Sequence, residues 1–175
     1  MIKTSKEIAV IALMVALLIA GQFVLSGVQG VEVVTVLFFS FCYVFGVKRG
    51  IAVAAAYSLL RNIYFGFFPQ VILLYLAYYP LFAVVAGLTG RWLKKSGMHV
   101  ALKIVICAAV AAVCTALFTL LDDVITPLYF GYSAASREAY FYASLPVMLT
   151  QVICAAATVA VLFFPLTKIF SVVKL

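Results

Sequence analysis

The sequence predicts an all-α integral membrane protein, with six transmembrane helices in one bundle and both termini in the cytoplasm. Of 175 residues, 68% are apolar and only 10% are charged, whereas a soluble domain is about half apolar and a quarter charged. At roughly 20 residues per helical span, the chain has room for six spans and short loops, and for no sizeable soluble domain. Basic residues also cluster at alternate ends of the apolar runs, which is the pattern that orients a membrane protein.

The composition excludes an ordinary soluble protein, a disordered chain and a disulfide-rich secreted domain, because too few polar residues are present to cover a water-exposed surface. The net charge of +7 is explained by membrane orientation, so no nucleic-acid partner is expected. The apolar runs are continuous and longer than the roughly ten residues of a barrel strand, which favours helices. The four cysteines lie in apolar runs without a C-x-x-C pair, so neither a metal nor another cofactor is predicted.

Each span follows from an apolar run and from the residues that interrupt it. The first run follows two lysines but has no signal-peptidase site, so it is expected to remain as a helix. The second and third runs are short and are joined by a basic turn at 48–50, and Gly66 and Pro69 end the third. A long loop is predicted over 122–140, and the sixth run has room to continue past Pro165. The predicted spans, in a single domain over residues 1–175, are approximately 8–25, 31–47, 51–65, 71–92, 100–121 and 141–164.

The distribution of charge predicts the orientation. With the N-terminus inside, ten of the twelve Lys and Arg residues fall at inner positions, and only Arg61 and Arg137 fall toward the outside. The positive-inside rule therefore predicts that both termini are cytoplasmic. Four of the five acidic residues fall at the opposite, outer ends of the spans, and the exception is Glu7.

Several polar and aromatic side chains are predicted to converge at one depth near the outer ends. Arg61 lies inside an apolar run, where an unpaired arginine costs at least about 2.5 kcal/mol. It either snorkels to the interface or anchors an anionic or carbonyl group of a ligand, with Glu32 or Asp122 as its possible partner. The alternative interpretation of Glu32 is a charge that stabilises a helix N-terminus. Gln151 either contacts the ligand or makes a packing contact between helices.

Tyrosines near the same ends point to a flat ring as ligand. Tyr75 and Tyr79 share a helix face at i, i+4, and an outward cavity lined by Tyr75, Tyr64 and Phe65 is expected to suit a flat ring through stacking. The alternative for each tyrosine is a place in the aromatic belt at the membrane surface. The predicted substrate-binding residues are Glu32, Arg61, Asn62, Tyr64, Tyr75, Tyr79, Asp122 and Gln151.

No catalytic residues are predicted. Asp122 and Asp123 are adjacent on a helix and point about 100° apart, so they cannot form a catalytic dyad. The chain has a single histidine and no phosphate-binding G-x-x-x-x-G-K-[ST] motif. It is therefore not expected to be an enzyme, and energy for transport must come from other subunits or from an ion gradient.

The first span carries a ridge of small residues. Ala12, Ala16 and Ala20 recur every four residues, a spacing that lets a second helix approach closely. The ridge either packs inside the bundle or docks another membrane subunit.

With this ridge, the sequence resembles the substrate-binding S-components of energy-coupling factor (ECF) vitamin transporters over essentially its whole length. The resemblance includes the size, the six spans, the cytoplasmic termini, the Gly-Val-Lys-Arg-Gly turn at 46–50 and the outer loop before the sixth span. It implies a prokaryotic, multi-pass cell-membrane subunit that binds a vitamin-like micronutrient from outside, with the segment 26–31 as a lid. It also implies docking of the Ala12, Ala16 and Ala20 ridge on a transmembrane T-component with two cytoplasmic ATPases, and toppling of the subunit to release the ligand inward.

The ligand stays open among cobalamin-like, pantothenate-like, pyridoxine-like and queuosine-precursor-like compounds. The main alternative function is a self-sufficient, homo-oligomeric secondary transporter or channel, in which the alanine ridge serves self-association. An accessory subunit without a ligand and a membrane enzyme are further alternatives.

Overall fold

The computed structural model of the protein describes residues 4–28, 31 and 33–173. These residues form seven helices and no strand, which confirms the all-α class. The helices are α1 Ser5–Leu25, α2 Val34–Phe45, α3 Val47–Leu60, α4 Asn62–Phe65, α5 Pro69–Lys95, α6 Val100–Tyr129 and α7 Ala134–Val172.

Four helices, α1, α5, α6 and α7, are long and apolar enough to cross a membrane. Their 21 to 39 residues correspond to about 30–60 Å at 1.5 Å per residue, against a hydrocarbon core of about 30 Å. The lengths and composition support a multi-pass membrane protein. Helices α2 and α3 have 12 and 14 residues and reach only about 18–21 Å, so six complete crossings stay a prediction.

Helix α2 forms the centre of the bundle. It packs mainly on α5 and α7, and the side chains from Val34 to Cys42 are buried except for Leu37. Phe38 lies against Phe82 of α5, with the ring centroids 5.6 Å apart, while Phe39 lies 5.9 Å from Phe163 of α7. A helix that is apolar on every face belongs in such an interior, which explains why this short run contains so few polar residues.

Two glycines allow α5 to approach the α2–α3 turn closely. A Cβ atom at Gly90 would lie 2.7 Å from the carbonyl oxygen of Tyr43, and one at Gly87 would lie 2.8 Å from the backbone nitrogen of Val47. Gly46 is the single residue between α2 and α3, and its φ of +82° is a conformation that glycine adopts without strain.

Basic side chains hold one end of the bundle together. Arg49 of α3 forms an ion pair with Glu7 of α1, and its Nε donates to Glu7 Oε1 at 3.0 Å. The ammonium of Lys94, near the end of α5, donates to the carbonyl oxygen of Val44 at 3.0 Å. This end is the one that the charge pattern predicts to face the cytoplasm.

The predicted turn between the second and third spans is wrong, and the helix ends around it lie a few residues from the predicted bounds, whereas the predicted end of the third span at 65 coincides with the end of α4. Helix α2 begins at Val34 and ends at Phe45, inside the predicted range 31–47. The predicted basic turn at 48–50 lies in the first turn of α3, because the chain reverses two residues earlier, at Gly46. The third span also breaks at Arg61 into α3 and the one-turn helix α4, and the carbonyl of Arg61 accepts from the backbone N–H of Tyr64.

The predicted long loop at 122–140 is also wrong. Helix α6 continues through Asp122 and Asp123 to Tyr129, and α7 begins at Ala134. Each acidic side chain has a hydrogen-bond donor on α7, which favours its place in the helix: Tyr140 donates to Asp122 Oδ2 at 2.7 Å, and Ser144 donates to Asp123 Oδ2 at 2.8 Å. At its other end, α7 continues through Pro165 to Val172, beyond the predicted end at 164.

Candidate binding site

A glutamine near the end of α1 connects three helices. Gln22 Oε1 accepts from the hydroxyl of Tyr57 on α3 at 2.7 Å and from Arg61 Nε at 3.2 Å. Its Nε2 donates to the hydroxyl of Tyr75 on α5 at 3.1 Å. Because both ends of the amide are engaged, the orientation of the Gln22 side chain is determined by its neighbours.

Arg61 is buried, with 6% of its surface exposed. Its guanidinium carbon lies 4.0 Å from the ring centroid of Tyr75 and 5.0 Å from that of Phe65, an arrangement that stabilises the cation through the ring faces. Asp122, one of the two carboxylates predicted as its partner, is not paired with it, because Asp122 accepts from Tyr140 and from Thr126 instead. The other predicted partner, Glu32, lies outside the described residues.

A cavity of about 110 Å³ lies beside this network, at the end of the bundle opposite the Arg49–Glu7 ion pair. Its walls come from α1, α2, α3, α5, α6 and α7, so it is assembled by the whole bundle. They combine aromatic rings with neutral hydrogen-bonding groups, and no described lining residue carries a formal charge. The lining residues are Gln22, Val34, Thr35, Tyr57, Tyr75, Tyr78, Tyr79, Thr115, Phe118 and Gln151.

The aromatic walls form one interlocked cluster. The rings of Tyr78 and Phe118 meet edge to face with centroids 4.9 Å apart, as do those of Tyr57 and Tyr79 at 5.0 Å. Tyr75 and Phe118 also meet edge to face at 5.5 Å. Edge-to-face contact is a preferred geometry for aromatic pairs. The cluster therefore offers a well-packed aromatic surface against which a flat group can pack.

Two polar groups of α6 and α7 complete the lining. Thr119 Oγ1 donates to Gln151 Oε1 at 3.1 Å, and the amide nitrogen of Gln151 has no acceptor within the part of the chain that the structure describes. Thr115 is only 4% exposed, and its hydroxyl has no hydrogen-bond partner among the described residues. A buried hydroxyl without a partner is costly, so Thr115 is the lining residue that most clearly lacks a contact.

Three of the predicted binding residues line the cavity, namely Tyr75, Tyr79 and Gln151. Arg61 does not line it, and its guanidinium lies over the ring of Tyr75. Asn62 is buried, but its amide nitrogen donates to the backbone carbonyls of residues 58 and 59.

Tyr64 and Asp122 lie elsewhere. Tyr64 is 68% exposed, on the outer surface of the bundle. Asp122 lies at the α6–α7 hairpin with Tyr140, and neither residue belongs to the lining of the cavity. Whether any of these residues contacts a ligand stays a prediction.

Sequence reasoning missed Gln22, Tyr57, Tyr78 and Thr115. A signal for Gln22 exists, because it continues the face of α1 that carries Ile11, Val15 and Leu18 at i, i+4, i+7 and i+11. Those three residues are buried, so a polar residue on the same face is expected to point into the bundle. No comparable pattern in the apolar runs distinguishes Tyr57, Tyr78 or Thr115 from their neighbours.

The alanine ridge lies on the other side of α1. Ala12, Ala16 and Ala20 are exposed and line a shallow apolar groove of about 660 Å³. The opposite wall of this groove comes from α3 and α4, including Ala56 and Tyr64. The ridge is therefore not used for packing within this bundle.

Among the residues that the structure describes, no group of three or more His, Cys, Asp or Glu side chains could hold a metal ion. Comparison with known proteins adds no relative: no family model, no curated protein and no solved structure matches this chain.

Proposed function

We propose that this chain is the substrate-specificity subunit of an ECF-type importer in a prokaryotic cell membrane. It binds a vitamin or a related micronutrient from outside and delivers it inward by toppling when docked on a T-component with two cytoplasmic ATPases. In this proposal α2 and α3 are the second and third crossings, as short, tilted helices that add to the four long ones, and both termini lie in the cytoplasm.

The cavity is the observation that carries the proposal. It combines stacking surfaces with neutral hydrogen-bonding groups, which is the usual lining of a small-molecule site. It also lies at the end of the bundle away from the basic cluster of Arg49 and Lys94, the end that faces outward if that cluster is cytoplasmic.

The alanine groove supports docking on another membrane protein. In lipid, helices associate through close packing of small residues, because apolar surface alone gives no preference for protein over lipid. Ala12, Ala16 and Ala20 offer such a surface on a helix whose other face is packed in the bundle. The chain has no phosphate-binding motif of its own, so partner subunits must supply ATP hydrolysis.

The decisive experiment has two parts. The full chain is purified in mild detergent, and small molecules released from it are identified by mass spectrometry. It is then co-expressed with a T-component and an ATPase pair, and uptake of the released compound is measured in proteoliposomes with and without ATP. We expect about one vitamin-like molecule per chain, co-purification of the ATPases, and uptake that requires ATP.

A different outcome favours the alternative function. A chain that forms a homo-oligomer of constant size, binds no ATPase and transports the compound with an ion gradient alone is a self-sufficient secondary transporter or channel. The same groove then serves contacts between identical subunits.

A further inference from the structure

The volume of the cavity limits the part of a ligand that enters it. The cavity measures about 110 Å³, somewhat less than the roughly 150 Å³ of an engineered apolar cavity that holds benzene. One six-membered ring is therefore the largest rigid group that we expect to lie wholly inside it. A fused double ring or a corrin macrocycle is too large to be enclosed in this volume.

The lining also selects for hydrogen-bonding atoms at the edge of that ring. Gln151 presents its amide nitrogen, because its oxygen accepts from Thr119. Gln22 Nε2 uses one of its two hydrogens on Tyr75, and the second has no acceptor among residues 4–28, 31 and 33–173. Groups with unused donors are best matched by acceptors, namely a ring nitrogen or a ring carbonyl.

Thr115 is the independent sign that something polar belongs in the cavity. Its hydroxyl is buried, lines the cavity and has no partner among the described residues. Ser40 on α2 is also buried and its hydroxyl has no partner in the described part of the chain, but Ser40 does not line the cavity. Comparing substitutions of Thr115 and Ser40 therefore distinguishes the energetic cost of burying an unpartnered hydroxyl from a contribution of Thr115 to ligand binding.

We propose that the cavity receives a single six-membered nitrogen heterocycle, of the pyridine or pyrimidine type, as the head group of the ligand. The ring packs against the Tyr78, Tyr79 and Phe118 cluster, its acceptor atoms meet the amide nitrogens of Gln22 and Gln151, and Thr115 contacts its edge. The statement that this ligand is transported rests on the proposed function, whereas binding of the ring does not.

The test measures ligand affinity and melting temperature of the full-length chain in detergent. The probes are pyridoxine, a hydroxymethyl-aminopyrimidine, benzyl alcohol as a ring without nitrogen, guanine as a double ring, and pantothenate as a compound without a ring. We expect one of the two single-ring heterocycles to bind at least tenfold more tightly than the other three classes. Failure of both heterocycles to bind, or tighter binding of guanine, benzyl alcohol or pantothenate, overturns the proposal.

Two matched variants test the role of Thr115. Thr115→Val removes the hydroxyl at nearly constant volume, so the free protein melts at a higher temperature while the heterocycle binds about 2- to 10-fold more weakly, the equivalent of one hydrogen bond. Ser40→Ala also removes an unpartnered hydroxyl, but it leaves the affinity unchanged. Unchanged affinity in Thr115→Val, or equal weakening in both variants, overturns the assignment of Thr115.

The outcomes separate this inference from the proposed function. If the chain imports a double-ring compound with ATP, the ring assignment fails and the transport role stands. If a single-ring heterocycle binds but no ATPase partner is found, the ring assignment stands and the ECF role fails.

Discussion

Replacement of Gln22 by methionine tests whether the amide network holds α1 against α3 and α5. Methionine has a similar length and shape, so the packing of the side chain is nearly preserved while all its hydrogen bonds are lost. The substitution removes the contacts of Gln22 with Tyr57, Tyr75 and Arg61. It leaves the buried guanidinium of Arg61 with the faces of Tyr75 and Phe65 as its described contacts.

The expected loss follows from these contacts. Polar contacts between helices in a membrane protein average about 0.6 kcal/mol each, so three contribute about 2 kcal/mol. A buried charged donor that loses its acceptor adds roughly 1–2 kcal/mol. The free energy of unfolding is therefore expected to fall by about 3–4 kcal/mol in Gln22→Met.

The assay is reversible unfolding of the purified chain in mixed micelles with increasing dodecyl sulfate, followed by circular dichroism. Gln70→Met is the matched control, because Gln70 is partly exposed and we expect a change within about 0.5 kcal/mol. Gln22→Glu keeps two acceptor oxygens for Tyr57 and Arg61 and should retain most of the stability. If Gln22→Met is as stable as Gln70→Met, the network does not hold α1 in place.

A double-mutant cycle that combines Gln22→Met with Tyr57→Phe isolates one contact of the network. The hydroxyl of Tyr57 donates to Gln22 Oε1 at 2.7 Å, so the effects of the two substitutions on the free energy of unfolding should be coupled by at least about 0.5 kcal/mol. Strictly additive effects would show that this hydrogen bond contributes nothing measurable.

Three further predictions concern other parts of the chain. Ala16→Leu fills the alanine groove and should abolish co-purification with the T-component, while the ligand affinity stays unchanged. The control Leu13→Phe changes an exposed residue outside the groove and should change neither co-purification nor ligand affinity. Gly90→Ala places a Cβ against the backbone of α2 and should cost about 1–3 kcal/mol in the unfolding assay, whereas Gly97→Ala, with nothing within 4 Å, should be close to neutral. Arg49→Leu breaks a partly exposed ion pair and should cost at most about 1 kcal/mol, less at high salt; a loss above 2 kcal/mol would show that this end of the bundle depends on the pair.

Much of the fold can be predicted from the sequence, because hydropathy alone identifies helices long enough for a membrane. The long helices α1 and α5 lie within a few residues of the predicted runs 8–25 and 71–92. The ends of α6 and α7 could not be predicted in this way. Asp122 and Asp123 resemble the start of a loop, and only their partners Tyr140 and Ser144 on the next helix show why the helix continues.

The candidate site is less predictable, since it depends on which helix faces meet. Tyr75, Tyr79 and Gln151 could be selected because polar and aromatic groups in an apolar run at one depth tend to converge, and the cavity brings these three together. The same reasoning offered Glu32 or Asp122 as a partner for Arg61, because in lipid a cation is expected to find an anion, and of these two Asp122 contacts Tyr140 and Thr126 instead. A buried cation is also stabilised by ring faces and by a neutral acceptor, and Tyr75 and Gln22 supply both.

Helix α1 shows which part of the candidate site can be predicted from the sequence and which part cannot. Its two faces can be told apart from the sequence, since Ala12, Ala16 and Ala20 fall on one and Ile11, Val15 and Leu18 on the other. That periodicity predicts that Gln22 points inward, but the partners of Gln22 come from α3 and α5, roughly 35 and 53 residues further along the chain. Short-range patterns report the direction of a side chain, whereas its partner is determined by the packing of the whole bundle. The polar contacts of a membrane bundle are therefore the part of its structure that a single sequence predicts least well, and in this chain they are also the part that surrounds the candidate binding site.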